Sequence, residues 1–397
     1  MNASTSTYRW RDNLLVRNIS TFATHAQARA VGMVFASDSL LFGSWVAHIP
    51  YIKQKLQLSD AGLGLTLFAM PVGLLIMNPL TGWIIARIGE AKACFYGALI
   101  FCLGMCLAIN ADHISILVAG LLVNGLSSAL LNVAMNTSAT NIERADGIQI
   151  MASSHGMWSL GGMLGSAIAG VAIALHIPPN IHVMVIAALI ALLTYSLRPV
   201  LQNIPTQKTD STASFVRPNV DLLLMILIGL AVAMGEGLAF DWSAVYLRET
   251  LGATSQVAAL GFGCFSLTMT LGRFTGDALV PLVGAKRWLQ VSGLIGAAGI
   301  AVAVLLPYPA TALLGFALLG AGCSLGAPIL YGASMRVPGI SPAAGLATFA
   351  TFSFIGFLAG PPIIGFVAEG YGLAYGLALV GVMMLLSAVL SKRVKLY

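Results

Sequence analysis

The chain has 397 residues, of which 58% are hydrophobic and only 9% are charged. A soluble domain carries about a quarter of its residues as charged side chains, so this composition excludes an ordinary water-soluble protein and indicates the lipid bilayer as solvent. The net charge of +6 comes from lysines and arginines near the ends of apolar runs, and it therefore indicates membrane topology rather than nucleic-acid binding.

The sequence predicts an all-α membrane protein with twelve transmembrane helices in two pseudo-symmetric six-helix bundles. Residues 1–27 are polar and lack the apolar core of a cleavable signal peptide, so they are read as a tail. Apolar runs of about 20 residues, the length that crosses the hydrocarbon, then recur twelve times. These runs, called spans 1 to 12, are predicted at 28–52, 60–86, 91–109, 113–141, 147–175, 180–200, 219–247, 255–280, 285–305, 309–334, 341–368 and 371–391. The polar stretch 201–218 is the predicted linker between bundles at 28–200 and 219–391, and 392–397 is a second tail.

The cations divide unequally between the two ends of these spans. Both tails and the linker share one end with most of the lysines and arginines, whereas only Lys53, Lys55 and Arg248 lie at the other end. The positive-inside rule therefore predicts that the tails and the linker are cytoplasmic.

Three carboxylates fall inside predicted spans, where each costs at least ~2.5 kcal/mol at the bilayer centre. Asp38 lies in span 1, and Glu236 and Asp241 lie in span 7, the equivalent span of the second half. A carboxyl group in lipid can hold a proton and release it when water arrives, so all three are candidate proton-coupling residues. A structural hydrogen bond or salt bridge is the alternative for each.

Two further observations refine the proton-coupling set. Glu236 stands between Gly235 and Gly237, where a helix can bend or unwind. In an ideal helix Glu236 and Asp241 point about 140° apart, so Glu236 is assigned with Asp38 to a central cavity, and Asp241 to an outer gate or a ligand contact. His155 in span 5 is a fourth candidate, because histidine exchanges protons near neutral pH.

Span 4 carries a polar stripe that is a candidate solute-binding surface. A step of four residues turns a helix by 400°, so side chains at this spacing form one slowly drifting stripe. The stripe consists of Asn124, Ser128, Asn132 and Asn136. Amides offer both donors and acceptors to a hydroxyl-rich ligand, although hydrogen bonding between helices is the alternative. Aromatic candidates for ligand contact are Trp45, Trp158, Trp242 and Tyr331.

A short charged loop between spans occurs in both halves, which indicates a fold built by duplication and favours a transporter. The first copy runs from Gly82 to Lys92, and the second from Gly272 to Arg287. The candidate gating residues, all expected on the inner surface between the halves, are Gly82, Arg87, Gly89, Lys92, Arg273, Asp277 and Arg287.

On its twelve spans, its linker and both loop copies, the chain resembles the major facilitator superfamily. In that family the first loop locks the halves in the outward-facing state; its usual acidic residue is absent here, whereas the second copy has Asp277. Three segments also resemble the YbjJ-type branch of bacterial inner membrane proteins and, more distantly, fucose permease-like proteins. They are Ser44-Trp45 with Pro50, residues 155–162 and residues 236–248. The resemblance implies a bacterial inner membrane location, and the protein is expected to be a monomer.

These features together predict a secondary transporter that works by alternating access. The asparagine stripe favours proton-coupled symport of a small polar solute such as a sugar, whereas the interior rich in Met, Phe and Leu leaves efflux of an amphipathic compound open. The sequence has no phosphate-binding glycine loop, zinc-binding histidine motif or nucleophile–base pair, so an enzyme, a cofactor and a metal are not expected. A solute receptor that does not transport is the alternative from another class. The expected partners are the solute, protons and membrane lipid.

Overall fold

The computed structural model describes residue 22, residues 24–205 and residues 216–396. Most of the predicted first tail, residues 206–215 of the predicted linker, and Tyr397 lie outside the described residues. Within the described ranges, every regular element is a helix.

Each half consists of six spans, and some of these spans are broken into shorter helices. Span 1 consists of Ala26–Val46 and Ile49–Lys55, which are bent by 44°. The rest of the first half comprises Asp60–Leu67 with Ala69–Ile88, Glu90–Ile109, Ile114–Asp146, Met151–Ala174 and Pro179–Gln202. Span 7 is Val220–Asp241 with Ser243–Val245, and it continues into a π-helical turn at Tyr246–Thr250. Spans 8 to 12 are Ser255–Val283, Ala285–Leu305, Pro309–Cys323 with Gly326–Ser334, Pro342–Tyr371 and Leu373–Leu390.

The predicted number of spans is confirmed. Eleven helices of the described chain are long and apolar enough to cross a membrane, and the bent pair of span 1 makes the twelfth. One predicted boundary is wrong by several residues, because span 4 continues beyond residue 141 to Asp146. It ends where Gly147 takes a left-handed conformation with φ of 67°, which is the usual way to terminate a helix with glycine.

The repeated loops owe their shape to one glycine in each copy. Gly89 is the sole residue between span 2 and span 3, and Gly284 is the sole residue between span 8 and span 9. Their φ angles are 81° and 84°, which residues with a Cβ rarely adopt. The same glycine geometry in both halves therefore makes the same abrupt reversal of the chain.

The two halves pack their spans in the same way. In the first half span 1 packs on spans 5 and 6, while span 4 packs on spans 2 and 3 and span 3 on span 6. In the second half span 7 packs on spans 11 and 12, while span 10 packs on spans 8 and 9 and span 9 on span 12. The halves meet through spans 5 and 8 and through spans 2 and 11.

Among the described residues, the hydrophobic core joins the halves at one end of the bundle only. We call the end that holds Ala26 and Lys395 the cation-rich end, and the other the opposite end. Toward the opposite end one buried cluster includes Phe42 from the first half and Phe240 from the second. Toward the cation-rich end each half has a separate cluster. The halves are therefore closed against each other at the opposite end.

Candidate functional site

Asp38 lies in the middle of span 1 and is buried, with 9% of its surface exposed. The indole Nε1 of Trp158, on span 5, donates a hydrogen bond of 2.9 Å to its Oδ2. Its other oxygen, Oδ1, is buried and has no hydrogen-bond partner among the described residues. This oxygen can therefore take up a proton or accept a hydrogen bond from a ligand.

Glu236 lies in span 7, the equivalent span of the second half, but its neighbour is a cation. Its Oε1 lies 3.8 Å from Nη2 of Arg273 on span 8, and both side chains are mostly buried. Nη1 of the same guanidinium donates a hydrogen bond of 2.9 Å to the Ser159 hydroxyl. Arg273 thus bridges the carboxylate of the second half to span 5 of the first.

These contacts connect the two predicted carboxylates across the halves. Trp158, which holds Asp38, and Ser159, which accepts from Arg273, are consecutive residues on span 5. The path from Asp38 to Glu236 therefore passes through two consecutive residues of a single helix. A rearrangement that moves spans 5 and 8 relative to each other would change the surroundings of both carboxylates together.

One expectation about this region is wrong. Arg273 does not lie on the surface with the loop, because it sits well inside span 8 and its guanidinium is held by Glu236 and Ser159. The helix of span 7 does not unwind at Gly235 or Gly237 but runs unbroken from Val220 to Asp241. Its break follows Asp241, which makes no hydrogen bond or ion pair with a described residue and is kept apart from Glu236.

His155 lies one turn before Ser159 on span 5. Its Nε2 is 3.1 Å from Oδ1 of Asn136 on span 4, so this nitrogen is the donor in that tautomer. The Asn136 amide in turn donates to the Asn132 backbone carbonyl at 2.8 Å. The edge of the imidazole packs on Phe35, with ring centroids 5.2 Å apart. The histidine therefore joins the asparagine stripe rather than a carboxylate.

The stripe on span 4 divides into two environments. Asn132 is exposed and Asn136 and Ser128 are half-buried, so these three can meet a solute. Asn124 is fully buried against Gly104 of span 3, and neither of its amide atoms has a partner among the described residues. The placement of Asn124 in a solute site is therefore wrong. Each four-residue step drifts by about 40°, and two steps carry the stripe from the span 3 contact to the open side.

The aromatic candidates also divide. Trp45 and Trp242 are 2% and 0% exposed and belong to the hydrophobic core, so the prediction that they contact solute is wrong for this conformation. Trp158 is half-buried and holds Asp38. Tyr331 is 41% exposed, and its ring packs edge-on against Phe349 at 5.2 Å. Trp158 and Tyr331 therefore keep surface for a ligand.

The predicted gating loops lie at the cation-rich end. The Arg87 guanidinium stacks over the ring of Trp83 at 4.0 Å. A Cβ at Gly82 or Gly89 would meet no described atom within 4 Å, so no described residue of the second half packs against these two glycines. Lys92 and Arg287 form no ion pair with any side chain that the structure describes, and the Asp277 side chain is outside that part. Their gating role stays a prediction.

The comparisons with known proteins identify the family. The family model described as Major Facilitator Superfamily matches residues 30–338. The chain belongs to the Major Facilitator Superfamily. It is similar to an uncharacterized MFS-type transporter of Yersinia pestis, with 29% identity over 369 residues that cover 93% of this chain and 96% of the relative.

Solved structures of this superfamily have the same fold. A mutant of the nucleoside transporter NupG is similar with a TM-score of 0.74 and 16% identity, covering 93% of this chain and 99% of that one. The E. coli fucose:proton symporter FucP is similar with a TM-score of 0.60 and 15% identity, covering 92% and 98%. The predicted superfamily and fold are confirmed, and the YbjJ-type branch stays a prediction.

Sequence reasoning missed an aromatic cluster beside the carboxylates of this superfamily member. Phe42 follows Asp38 by one helical turn, and Phe240 follows Glu236 by one turn, both toward the opposite end. The two phenylalanine rings meet edge-to-face with centroids 5.3 Å apart. The rings of Phe262 and Phe357 extend the cluster, at 5.0 and 5.4 Å from Phe240. The repeated spacing of an acid and a phenylalanine in spans 1 and 7 was the available signal.

The cluster separates the carboxylates from the opposite end. Aromatic edge-to-face pairs are favourable and leave no room for water between their rings. The side chains of the site form hydrogen bonds and one ion pair, and its carboxyl groups can bind or release protons. Among the described residues, no group of three His, Cys, Asp or Glu side chains is placed to hold a metal ion.

Proposed function

We propose that the protein is a proton-coupled secondary transporter that moves a small polar solute, such as a sugar, by alternating access. The observation that carries this proposal is the contact path from Asp38 through Trp158 and Ser159 to Arg273 and Glu236. It links a buried carboxylate in each half across the surface on which the halves move. Protonation neutralises a buried charge, so the loaded carrier can reorient at a lower cost.

The solute is proposed to bind on the side of the carboxylates away from the aromatic cluster. Asn132, Asn136 and Tyr331 offer amide and hydroxyl groups there, and the Trp158 ring offers an apolar face. This combination suits a compact molecule with several hydroxyl groups. Two similar structures carry names of the same kind of cargo, a nucleoside and fucose with a proton.

The proposed orientation places both termini and the linker in the cytoplasm of a bacterium, with the spans in its inner membrane. Its support is the distribution of described cations along the helices. Only Lys53, Lys55 and Arg248 stand at the opposite end. The cation-rich end holds Arg29, Arg87, Lys92, Arg144, Arg198, Arg217, Lys286, Arg287, Arg336, Lys392, Arg393 and Lys395. With this orientation the closed end faces outward and the described conformation is inward-facing.

Labelling of Ser211 tests the orientation. On a background without cysteines, Ser211→Cys should resist a membrane-impermeant maleimide in intact cells and react after permeabilisation. Reaction in intact cells would reverse the topology.

Transport in proteoliposomes tests the coupling. Counterflow with a panel of labelled solutes first finds a substrate, and accumulation is then driven by an imposed pH difference. Glu236→Gln and Asp38→Asn should each abolish proton-driven accumulation and keep part of the solute exchange. Glu90→Gln is the control, because Glu90 is a buried carboxylate of span 3 that contacts Asn141 and not this path. Full accumulation by both variants would refute the role of these carboxylates and leave His155 as the candidate.

Efflux of an amphipathic compound is the second candidate. The phenylalanine cluster favours it, because Phe240 and Phe357 border the same space as the carboxylates. A protein that exports would raise the content of a labelled hydrophobic cation in inside-out vesicles, and it would raise it less when Asp38 is replaced. Accumulation of sugars or nucleosides but not of such cations would favour symport.

A further inference from the structure

Lys53 lies at the opposite end of the bundle, on the second helix of span 1, and its side chain is only 9% exposed. Its ammonium is 2.6 Å from Oδ1 of Asp60, at the start of span 2. The same ammonium contacts Oε2 of Glu249, in the π-helical turn after span 7. One buried cation thus holds a carboxylate from each half.

A second polar contact crosses the halves beside the first. Glu369, near the end of span 11, accepts a hydrogen bond of 3.2 Å from the backbone N–H of Ala61. Ala61 follows Asp60, so both contacts engage the first turn of span 2. Acceptors at a helix N-terminus are stabilised by the free N–H groups there, and a carboxylate is the strongest of them.

The backbones meet closely at the same place. A Cβ at Gly64 of span 2 would lie 2.5 Å from the Pro361 carbonyl, and one at Gly365 of span 11 would lie 2.6 Å from the Asp60 carbonyl. Spans 2 and 11 therefore touch through glycine surfaces under the charged groups. Opening this end must separate the two spans and with them both polar contacts.

We propose that Lys53, Asp60, Glu249 and Glu369 form an ionic latch that holds the opposite end closed and sets how often that end opens. Lys53–Glu249 and Ala61–Glu369 exist only while the halves touch, so their free energy favours the closed state alone. Lys53–Asp60 lies within the first half and survives opening; its role is to position the ammonium. The latch can be tested without identifying the coupling ion or the solute.

The chain supplies a matched control two residues away. Lys55 pairs with Asp112 at 2.7 Å, at the same end of the bundle. Both residues belong to the first half, so this pair is present whether or not the halves separate. Removing it changes the charge of that end by the same amount as removing Lys53 but leaves the contact between halves intact.

Spin labels on the two halves measure the opening. His113→Cys, between spans 3 and 4, and Ala310→Cys, in the first turn of span 10, are exposed sites at the opposite end, one in each half. The labels are attached to the full chain in nanodiscs, on a background in which the five native cysteines are replaced. The distance distribution is then recorded without solute for each variant.

Glu249→Gln and Glu369→Gln should each increase the ratio of long to short distances by about two- to fivefold, the effect of weakening an exposed polar contact. Lys53→Gln should do the same, and Lys53→Arg should keep the short distance. Lys55→Gln should leave the distribution as in the parent. If Lys53→Gln does not fold, the two glutamate variants still decide, since Glu249 is 38% exposed in its side chain and Glu369 is exposed. Unchanged distributions in both glutamate variants, or an equal shift in Lys55→Gln, would overturn the latch.

Discussion

Asp38 and Glu236 lie in spans 1 and 7, the equivalent spans of the two halves, yet their surroundings differ. Each is followed one turn later by a phenylalanine, and the two rings touch. Asp38 is held by the neutral indole of Trp158 and keeps one oxygen unpartnered among the described residues, whereas Glu236 faces the Arg273 guanidinium. Both equivalent spans carry an acid, but among the described residues only Glu236 has a cation beside it. Under the proposed function, a proton is the partner that neutralises Asp38.

The largest expected effect comes from removing the cation. Arg273→Gln leaves the Glu236 carboxylate buried without an opposite charge, and we expect a loss of about 3 kcal/mol in unfolding free energy, the lower end for broken buried pairs, because both side chains keep some exposure. Thermal unfolding in detergent measures it. The double variant Arg273→Gln/Glu236→Gln should recover most of the loss. If the double variant lost as much unfolding free energy as the two single variants added together, the ion pair would be contradicted.

The next effect separates the two acids directly. Glu236→Gln leaves a guanidinium without its carboxylate and should cost about 2 kcal/mol, less than Arg273→Gln because Ser159 still accepts from it. Asp38→Asn keeps an oxygen acceptor for Trp158 and should cost about 1 kcal/mol or less. Both unfolding curves are compared under the same lipid and detergent conditions. Equal losses of unfolding free energy in the two variants would mean that Arg273 compensates the charge of Glu236 no more than Trp158 compensates that of Asp38.

The fold was largely predictable, and so were the acids. Twelve apolar runs of spanning length leave few alternatives, because every backbone polar group in lipid must be satisfied inside a helix. Asp38 and Glu236 stood out because charges are rare in such runs. Arg273 was misplaced, because its neighbours Gly272 and Gly276 were read as part of a loop that in fact begins at Gly284.

The rotation of each helix was not predictable to the same degree. Trp45, Trp242 and Asn124 face the packed interior, and sequence spacing does not say toward which neighbour a side chain points. In lipid the surfaces that face other helices and those that face lipid tails are both apolar, so hydropathy gives no direction. The latch was missed for a related reason, since Lys53 and Glu249 are far apart in sequence.

A smaller effect is expected at the hydrogen bond to Asp38. Trp158→Phe keeps the ring but removes the Nε1 donor, leaving Asp38 with no partner on either oxygen among the described residues. We expect a loss of about 1 kcal/mol in unfolding free energy. In the Asp38→Asn background the same change should cost less, because a neutral amide loses a weaker bond. An identical cost in both backgrounds would show that the indole contributes by packing alone.

The smallest expected effect tests the touching phenylalanines. A double-mutant cycle with Phe42→Leu and Phe240→Leu should give a coupling of about 0.5–1 kcal/mol, the range for edge-to-face aromatic pairs. Phe95 and Tyr96, also edge-to-face but both on span 3, provide a cycle that does not cross the halves. A coupling of zero would show that the rings of Phe42 and Phe240 are not in contact in the native ensemble.

The single-glycine junctions at Gly89 and Gly284 have a consequence for biogenesis. A connection of one residue gives spans 2 and 3, and likewise spans 8 and 9, no spare chain with which to cross the lipid separately. Each pair must therefore leave the insertion machinery as a preformed hairpin, with its reversal already made. Lengthening either junction by a few flexible residues should allow the two spans of the pair to insert one after the other. Chains stalled during synthesis with only one span of the pair inserted would show this.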